Sequence, residues 1–93
     1  MTTHEVAGDR VLKDRSDRID RDSPVLLADQ VAQDLRAVVA VGAMSGRLPS
    51  EVDMASLYGV SRVTVRRAVA TLAAEGKLTV IHGRGTFIVA RDA

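Results

Sequence analysis

The sequence predicts one mainly α-helical domain that ends in a small β-hairpin. Its 93 residues suit a single small domain, since typical domains have about 100 to 150. Between residues 23 and 76, three runs carry apolar residues at helical spacing, and each is preceded by serine and closed by glycine. After Gly76 the period changes, because two short β-branched runs flank a glycine-rich turn. Three helices and a hairpin therefore follow one another along the chain.

Residues 1–22 predict a disordered, charged arm. Six acids and five bases mix there with a few isolated apolar side chains, which bury too little surface to offset the entropy of ordering the segment. No apolar run follows the first residues, so no secretory signal is predicted. No run approaches the ~18 apolar residues of a membrane span either. We expect a soluble chain whose folded domain occupies residues 23–93.

The first helix is predicted to begin at Ser23-Pro24 and to run to about Val41. Serine can cap a helix, and proline at the first helical position loses no needed hydrogen bond. The apolar residues follow one helical stripe, so this face is expected to be buried. The stripe consists of Ala28, Val31, Ala32, Leu35, Val38 and Val39.

The second helix is short and follows Pro49. Ser50 with Asp53 three residues later forms a variant capping box, and Gly59 ends the helix. The apolar side chains that we expect it to turn toward the core are Val52, Ala55 and either Leu57 or Tyr58.

The third helix is predicted from Arg62 to about Glu75, with Ser61 as its cap. Two helices joined through Gly59-Val60-Ser61 form a helix-turn-helix. The buried stripe of the third helix is expected to be Val65, Ala68, Val69, Leu72 and Ala73.

A hairpin completes the predicted domain. Its strands are Leu78–His82 and Thr86–Val89, and the turn between them is Gly83-Arg84-Gly85. The sequence thus predicts a winged helix-turn-helix, made of three helices and a two-stranded wing.

The charge distribution is more informative than the net charge of +1. Residues 1–22 sum to −1 and residues 23–59 to −2, whereas residues 60–93 hold six bases and two acids and sum to +4. A basic third of this kind suits a polyanionic partner, although a solvated charged surface has the same composition.

The third helix carries the residues that suit double-stranded DNA. A helical wheel places Val63, Arg66 and Arg67 opposite the buried stripe, with Arg62 at the flank. This is the outward face of the helix that enters the major groove in helix-turn-helix proteins. Arginine can donate two hydrogen bonds to guanine, and valine can contact a thymine methyl group.

Hydroxyl groups and the hairpin supply further candidate contacts. Ser50, Ser61 and Thr64 lie at helix N-termini, where hydroxyls and free amides favour phosphate. Arg84 lies between two glycines, so a small cationic wing tip can enter the minor groove.

Catalysis is not predicted. The chain has no cysteine and only two histidines, His4 and His82, which are too far apart for the usual metal-ligand spacings. No catalytic set of side chains converges in the sequence, so we expect no cofactor, no metal and no enzymatic activity. The lack of cysteine favours a reducing compartment, and we expect a cytoplasmic protein associated with the nucleoid.

The chain contains several sequence blocks, namely Leu48-Pro49-Ser50-Glu51, Gly59-Val60-Ser61-Arg62, Thr64-Val65-Arg66 with Ala68, Leu72, Glu75-Gly76, and Gly83-Arg84-Gly85-Thr86-Phe87. Together these blocks resemble the DNA-binding domain of the GntR family of bacterial transcription regulators. The resemblance implies a winged helix-turn-helix that binds palindromic operators as a dimer and represses transcription until a small effector releases it. By position, Arg62 resembles the base-reading arginine and Arg66 a second arginine that contacts DNA. Thr64 resembles a phosphate-binding hydroxyl.

The same resemblance gives His82 and Gly83 the role of the wing element at the minor groove. It also shows a difference, because Val52 stands where the family often has another DNA-contacting arginine. An alternative function is therefore a winged helix that binds another protein. Family members continue into an effector-binding domain, so the chain is either part of a longer regulator or a free-standing small protein.

Overall fold

The computed structural model describes residues 14–42 and 46–89. Three helices and a two-stranded antiparallel sheet form a mainly helical domain, as the sequence predicts. A short 3-10 helix precedes them near the N-terminus. The elements in chain order are the 3-10 helix Ser16–Arg18, α1 (Leu27–Ala40), α2 (Glu51–Tyr58), α3 (Arg62–Ala74), β1 (Leu78–Ile81) and β2 (Gly85–Ile88).

Helix α1 begins three residues later than predicted. Ser23 does not cap it, because the Ser23 hydroxyl accepts a hydrogen bond from the Val25 amide at 3.0 Å and closes a local turn instead. Leu26 is the N-cap, and no side chain accepts a hydrogen bond from the first turn. The helix ends at Ala40, one residue before the predicted end.

The predicted caps of α2 and α3 are confirmed. The Ser50 hydroxyl accepts a hydrogen bond from the Asp53 amide at 3.1 Å, and the Ser61 hydroxyl accepts one from the Thr64 amide at 3.1 Å. Gly59 ends α2 in the left-handed conformation, with φ of 69°, which a residue without Cβ adopts at no steric cost. The caps therefore fix both ends of the helix-turn-helix junction.

The buried face of α2 is only partly as predicted, since Tyr58 is buried and Ala55 packs against the core but Val52 does not. Met54 and Tyr58, which lie one turn apart, point into the core, whereas Val52 is 55% exposed. The apolar residues of this eight-residue helix are spread around its circumference, so its sequence shows no clear apolar stripe. The tertiary packing against α3 selects the face that is buried.

The core lies mainly between α1 and α3, and α2 and the start of β1 close it. No polar or charged residue is buried in the part of the chain that the structure describes. The core residues are Val31, Ala32, Leu35, Val38, Leu48, Met54, Tyr58, Val65, Ala68, Val69, Leu72 and Leu78.

The wing pairs β1 with β2 from Leu78 opposite Ile88 to Ile81 opposite Gly85. The first strand ends one residue earlier than predicted, so that His82 lies in the turn. Residues 46–48 run beside β2, where the Leu48 amide donates to the Thr86 carbonyl at 2.9 Å. The wing is therefore connected to the segment that leads into α2.

The prediction of a disordered arm does not hold for residues 14–22, while residues 1–13 lie outside the described part. Ile19 packs against the core, and the Arg15 guanidinium forms two hydrogen bonds with Asp34 of α1, at 2.5 and 3.0 Å. The composition of this segment does not predict its order, because polar contacts to the folded domain, rather than its own apolar surface, hold it in place.

Asp34 gives the domain a predictable response to acid. Burial alone would raise the pKa of this carboxyl, which is 11% exposed, but hydrogen bonds from Arg15 and Tyr58 outweigh burial and lower it. In the unfolded chain Asp34 therefore takes up a proton at a higher pH, near its ordinary pKa of about 3.9. The stability that ionised Asp34 contributes is complete above that pH and is lost as the pH falls through the folded-state pKa.

We expect Asp34→Asn to lower the free energy of unfolding at neutral pH. The gap, which is the difference in free energy of unfolding between wild type and this variant, should narrow below about pH 4. Urea denaturation followed by circular dichroism at a series of pH values measures this gap. A gap that stays constant between pH 7 and pH 3 would contradict the assignment.

Candidate nucleic-acid interface

Helix α3 presents a basic surface to solvent. The predicted division of this helix is confirmed except at Ala73, which is half-buried. Val65, Ala68, Val69 and Leu72 are buried, while the cations are exposed. The side chain of Arg62 is 60% exposed in the first turn. This exposed face consists of Arg62, Val63, Arg66, Arg67 and Ala70.

Glu51, the first residue of α2, holds the arginines of this surface. Arg66 donates two hydrogen bonds to its carboxylate, from Nε at 3.1 Å and from Nη2 at 2.9 Å. Arg62 Nη2 lies 3.9 Å from Glu51 Oε1. The hydrogen bonds from Arg66, more than any other contact, lower the pKa of Glu51. The two arginines that the resemblance predicts to contact DNA thus share one anion.

The hydroxyl groups lie at the helix ends, as predicted. The Ser61 hydroxyl also donates to Thr64 Oγ1 at 3.0 Å, so these two side chains form one polar cap at the start of α3. Ser50 is exposed at the start of α2. Both N-termini have free backbone amides that favour anions.

The wing tip is an exposed, tight turn. His82, Gly83 and Arg84 form the turn, which the Arg84 amide closes by donating to the Ile81 carbonyl at 2.8 Å. At Gly85, which has φ of 128°, an added Cβ would lie 2.8 Å from Arg47 Nε. The Arg47 side chain therefore lies against the wing backbone, and the positive φ of Gly85 favours glycine at this position.

One groove joins the wing to the helix-turn-helix. It brings together four predicted residues, from the N-termini of α2 and α3 and from the wing turn. The predicted residues are Ser50, Arg62, His82 and Gly83, and the groove is also lined by two charged residues that were not predicted as site residues, Arg47 and Glu51.

The remaining predicted residues are not among those that line this groove. They lie on α3 and at the wing tip, and consist of Ser61, Val63, Thr64, Arg66, Arg67 and Arg84. Arg47 and Glu51 were missed because their relation to α3 and the wing arises from the tertiary fold. The one available signal for these contacts in the sequence was Glu51, an acidic residue at the start of α2.

The described ranges 14–42 and 46–89 contain neither a metal-ligand cluster nor a membrane-spanning helix. No group of three or more His, Asp or Glu residues is placed there to hold a metal ion. None of the helices in those ranges combines the length and the apolar character that a membrane crossing requires.

A helix-turn-helix with a basic exposed helix and an adjacent β-hairpin defines a winged-helix DNA-binding domain. Residues 27–88 match the model of the family described as bacterial regulatory proteins, gntR family. The chain belongs to this family, and residues 27–88 are its winged-helix DNA-binding domain.

Curated relatives agree with this family. The chain is 38% identical over 76 residues to an uncharacterised HTH-type transcriptional regulator of Rhizobium meliloti, covering 80% of this chain and 31% of the relative. It is also 38% identical over 72 residues to the HTH-type transcriptional repressor NagR of Bacillus subtilis, covering 75% of this chain and 30% of NagR. The chain thus spans about a third of the length of these relatives.

Solved structures agree with the fold. The DNA-binding domain of AraR in complex with operator ORE1 has a TM-score of 0.67 and 26% identity, covering 76% of this chain and 89% of that one. The GntR-family transcription factor YtrA from Sulfolobus acidocaldarius has a TM-score of 0.71 and 28% identity, covering 80% of each chain. The predicted winged helix-turn-helix is confirmed.

The carboxylate of Glu51 leads to a prediction about discrimination between DNA sequences. Glu51→Gln removes the negative charge beside the exposed arginines of α3 and weakens the contacts that hold Arg62 and Arg66. We expect non-specific duplex to bind a few-fold more tightly because an anion is lost, and the ratio of specific to non-specific affinity to fall because the arginines are less constrained. Anisotropy titrations with a selected and an arbitrary duplex measure both quantities. An unchanged ratio would show that Glu51 does not orient them.

Proposed function

We propose that this chain is the DNA-reading part of a cytoplasmic, nucleoid-associated repressor that binds a palindromic operator as a dimer. The observation that carries the proposal is the exposed arginine face of α3, which lies next to the wing groove. The name of NagR as a transcriptional repressor and the complex of AraR with its operator support the proposed repression and the proposed operator.

In this proposal the residues divide into three groups. Arg62 and Arg66 read bases in the major groove, and Val63 and Arg67 lie beside them. Ser50, Ser61 and Thr64 bind phosphates at the two helix N-termini. The wing residues His82, Gly83 and Arg84 approach the adjacent minor groove, where the negative potential attracts cations.

Residues 23–93 form the proposed DNA-binding domain, and they supply one recognition helix. A palindrome has two half-sites about 34 Å apart along the duplex, so tight binding requires two copies of the domain. We therefore expect weak binding by the isolated chain unless it dimerises. A small-molecule effector enters the proposal only through a further domain outside this chain.

In vitro selection from a random duplex library, followed by anisotropy titration of the enriched sequence, tests the function. We expect the selected duplex to bind more tightly than an arbitrary one. The affinity should also fall with salt at a log-log slope of about −0.9 for each phosphate neutralised. No enrichment, or an affinity that salt does not change, would contradict the proposal.

An NMR titration separates this function from that of a protein-binding winged helix. Duplex DNA is expected to shift the amide signals of α3 and of the wing turn. The absence of shifts on α3 would favour the protein-binding alternative.

A further inference from the structure

Residues 14–22, which we call the N-terminal strap, contact the turn of the helix-turn-helix. The Arg15 amide donates to the Leu57 carbonyl at 2.8 Å, and the Arg21 guanidinium donates to the Gly59 carbonyl. The last carbonyls of a helix have no partner within it, so contacts from another segment satisfy them. The strap thus supplies hydrogen-bond donors to the C-terminal end of α2.

The strap is also joined to α1 at Asp34. The Arg15 guanidinium binds both carboxylate oxygens of Asp34, and the Tyr58 hydroxyl donates to Asp34 Oδ2 at 2.6 Å. Tyr58 is fully buried in the last turn of α2. Asp34 therefore connects the strap, α1 and the end of α2 in one network of charge-assisted hydrogen bonds, which are stronger than neutral ones.

The turn that the strap contacts sets the direction of the DNA-reading helix. Only Gly59, Val60 and Ser61 separate the end of α2 from the start of α3. Ser16 Cβ would lie 3.5 Å from a Cβ at Gly59, so the 3-10 helix packs closely over this turn. A change in the backbone at Leu57 or Gly59 would alter the angle at which α3 leaves the turn.

The strap lies outside residues 27–88, the part that matches the family model. We propose that the strap positions α3 for DNA by fixing the helix-turn-helix turn, with Arg15 as a positioning residue that does not contact DNA. This inference rests on the proposed DNA-binding function.

Arg15→Gln in the full 93-residue chain tests the proposal, with Arg36→Gln as the matched control. Arg36 also donates two hydrogen bonds to a carboxylate, that of Glu75 at 2.9 and 2.7 Å, but this pair lies at the far end of α3. We expect Arg15→Gln to weaken binding of the selected duplex about tenfold with no change in the salt slope, because no phosphate contact is lost. Arg36→Gln is expected to bind as wild type does.

Amide hydrogen exchange gives a readout that does not depend on DNA. The Val60 amide donates to the Ala55 carbonyl at the turn, and the Lys77 amide donates to the Leu72 carbonyl beyond α3, each at 3.0 Å. Arg15→Gln is expected to speed exchange at Val60 more than at Lys77. If Arg15→Gln melts below the assay temperature, Arg15→Lys replaces it, because lysine keeps the charge but cannot form the paired hydrogen bonds. We expect Arg15→Lys to show a smaller loss of duplex affinity and a smaller acceleration of exchange at Val60.

Three results for Arg15→Gln would overturn the proposal. The first is an affinity for the selected duplex equal to that of wild type, and the second is a log-log salt slope smaller by about 0.9, which indicates a direct phosphate contact. The third is an equal acceleration of amide exchange at Val60 and Lys77, which indicates a general loss of stability. A wild-type chain that bound no duplex would contradict the proposed function itself. The exchange comparison would then decide alone whether the strap holds the turn.

Discussion

Replacing Arg62 with alanine is expected to weaken binding to the selected duplex by about 10- to 100-fold, because a bidentate arginine–guanine contact provides about 1–3 kcal/mol of discrimination. Arg62 lies in the first turn of α3, lines the groove beside the wing, and is 60% exposed. Its nitrogen remains 3.9 Å from Glu51, whereas Arg66 forms two short hydrogen bonds with that carboxylate. Arg62 therefore reaches a base at a smaller cost in broken contacts than Arg66.

Anisotropy titrations with the selected and the arbitrary duplex measure this effect. The loss should be much larger for the selected duplex, since a base contact carries sequence information and a phosphate contact does not. Arg36→Ala is the control, because Arg36 is an arginine of α1 that pairs with Glu75 away from the groove. If Arg62→Ala weakened both duplexes equally, Arg62 would be a phosphate contact instead of a base-reading residue.

Local signals in the sequence were sufficient for most of the fold. Ser50, Ser61 and Gly59 act on residues within one helical turn, so each cap could be predicted without knowledge of the tertiary structure. The predicted start of α1 was wrong because the Ser23 hydroxyl can form either of two local hydrogen bonds. It closes a turn with the Val25 amide, and this excludes the helix cap. Where two local arrangements compete, the surrounding packing decides between them.

The candidate site was only partly predictable. The exposed face of α3 follows from helical periodicity, which explains why Arg62, Arg66 and Arg67 could be placed correctly on the solvent side. The contacts of those residues could not be predicted, because Glu51 and Arg66 are 15 residues apart and meet only when α2 packs on α3. The same holds for Arg15 and Asp34, which are 19 residues apart. Pairing at such distances requires the three-dimensional structure.

Leu35→Ala is expected to have the largest effect on stability, lowering the free energy of unfolding by about 2–5 kcal/mol. Leu35 is fully buried at the centre of α1 and belongs to the core between α1 and α3. The loss includes the transfer of the missing methyl groups and the cavity that remains, because a close-packed core relaxes only partly. A small domain has about 5–15 kcal/mol of stability in total, so this one change removes a large share.

Leu26→Ala provides the matched control, since Leu26 is 68% exposed just before the same helix. We expect it to change stability by less than about 0.5 kcal/mol, as surface substitutions usually do. Urea denaturation followed by circular dichroism gives both values, and the fluorescence of Tyr58, the single tyrosine in a chain without tryptophan, reports on the core separately. Equal effects of the two substitutions would mean that the α1 stripe does not form the core. Because α3 packs on the same stripe, the loss of Leu35 should also reduce DNA binding at temperatures where Leu26→Ala still binds normally.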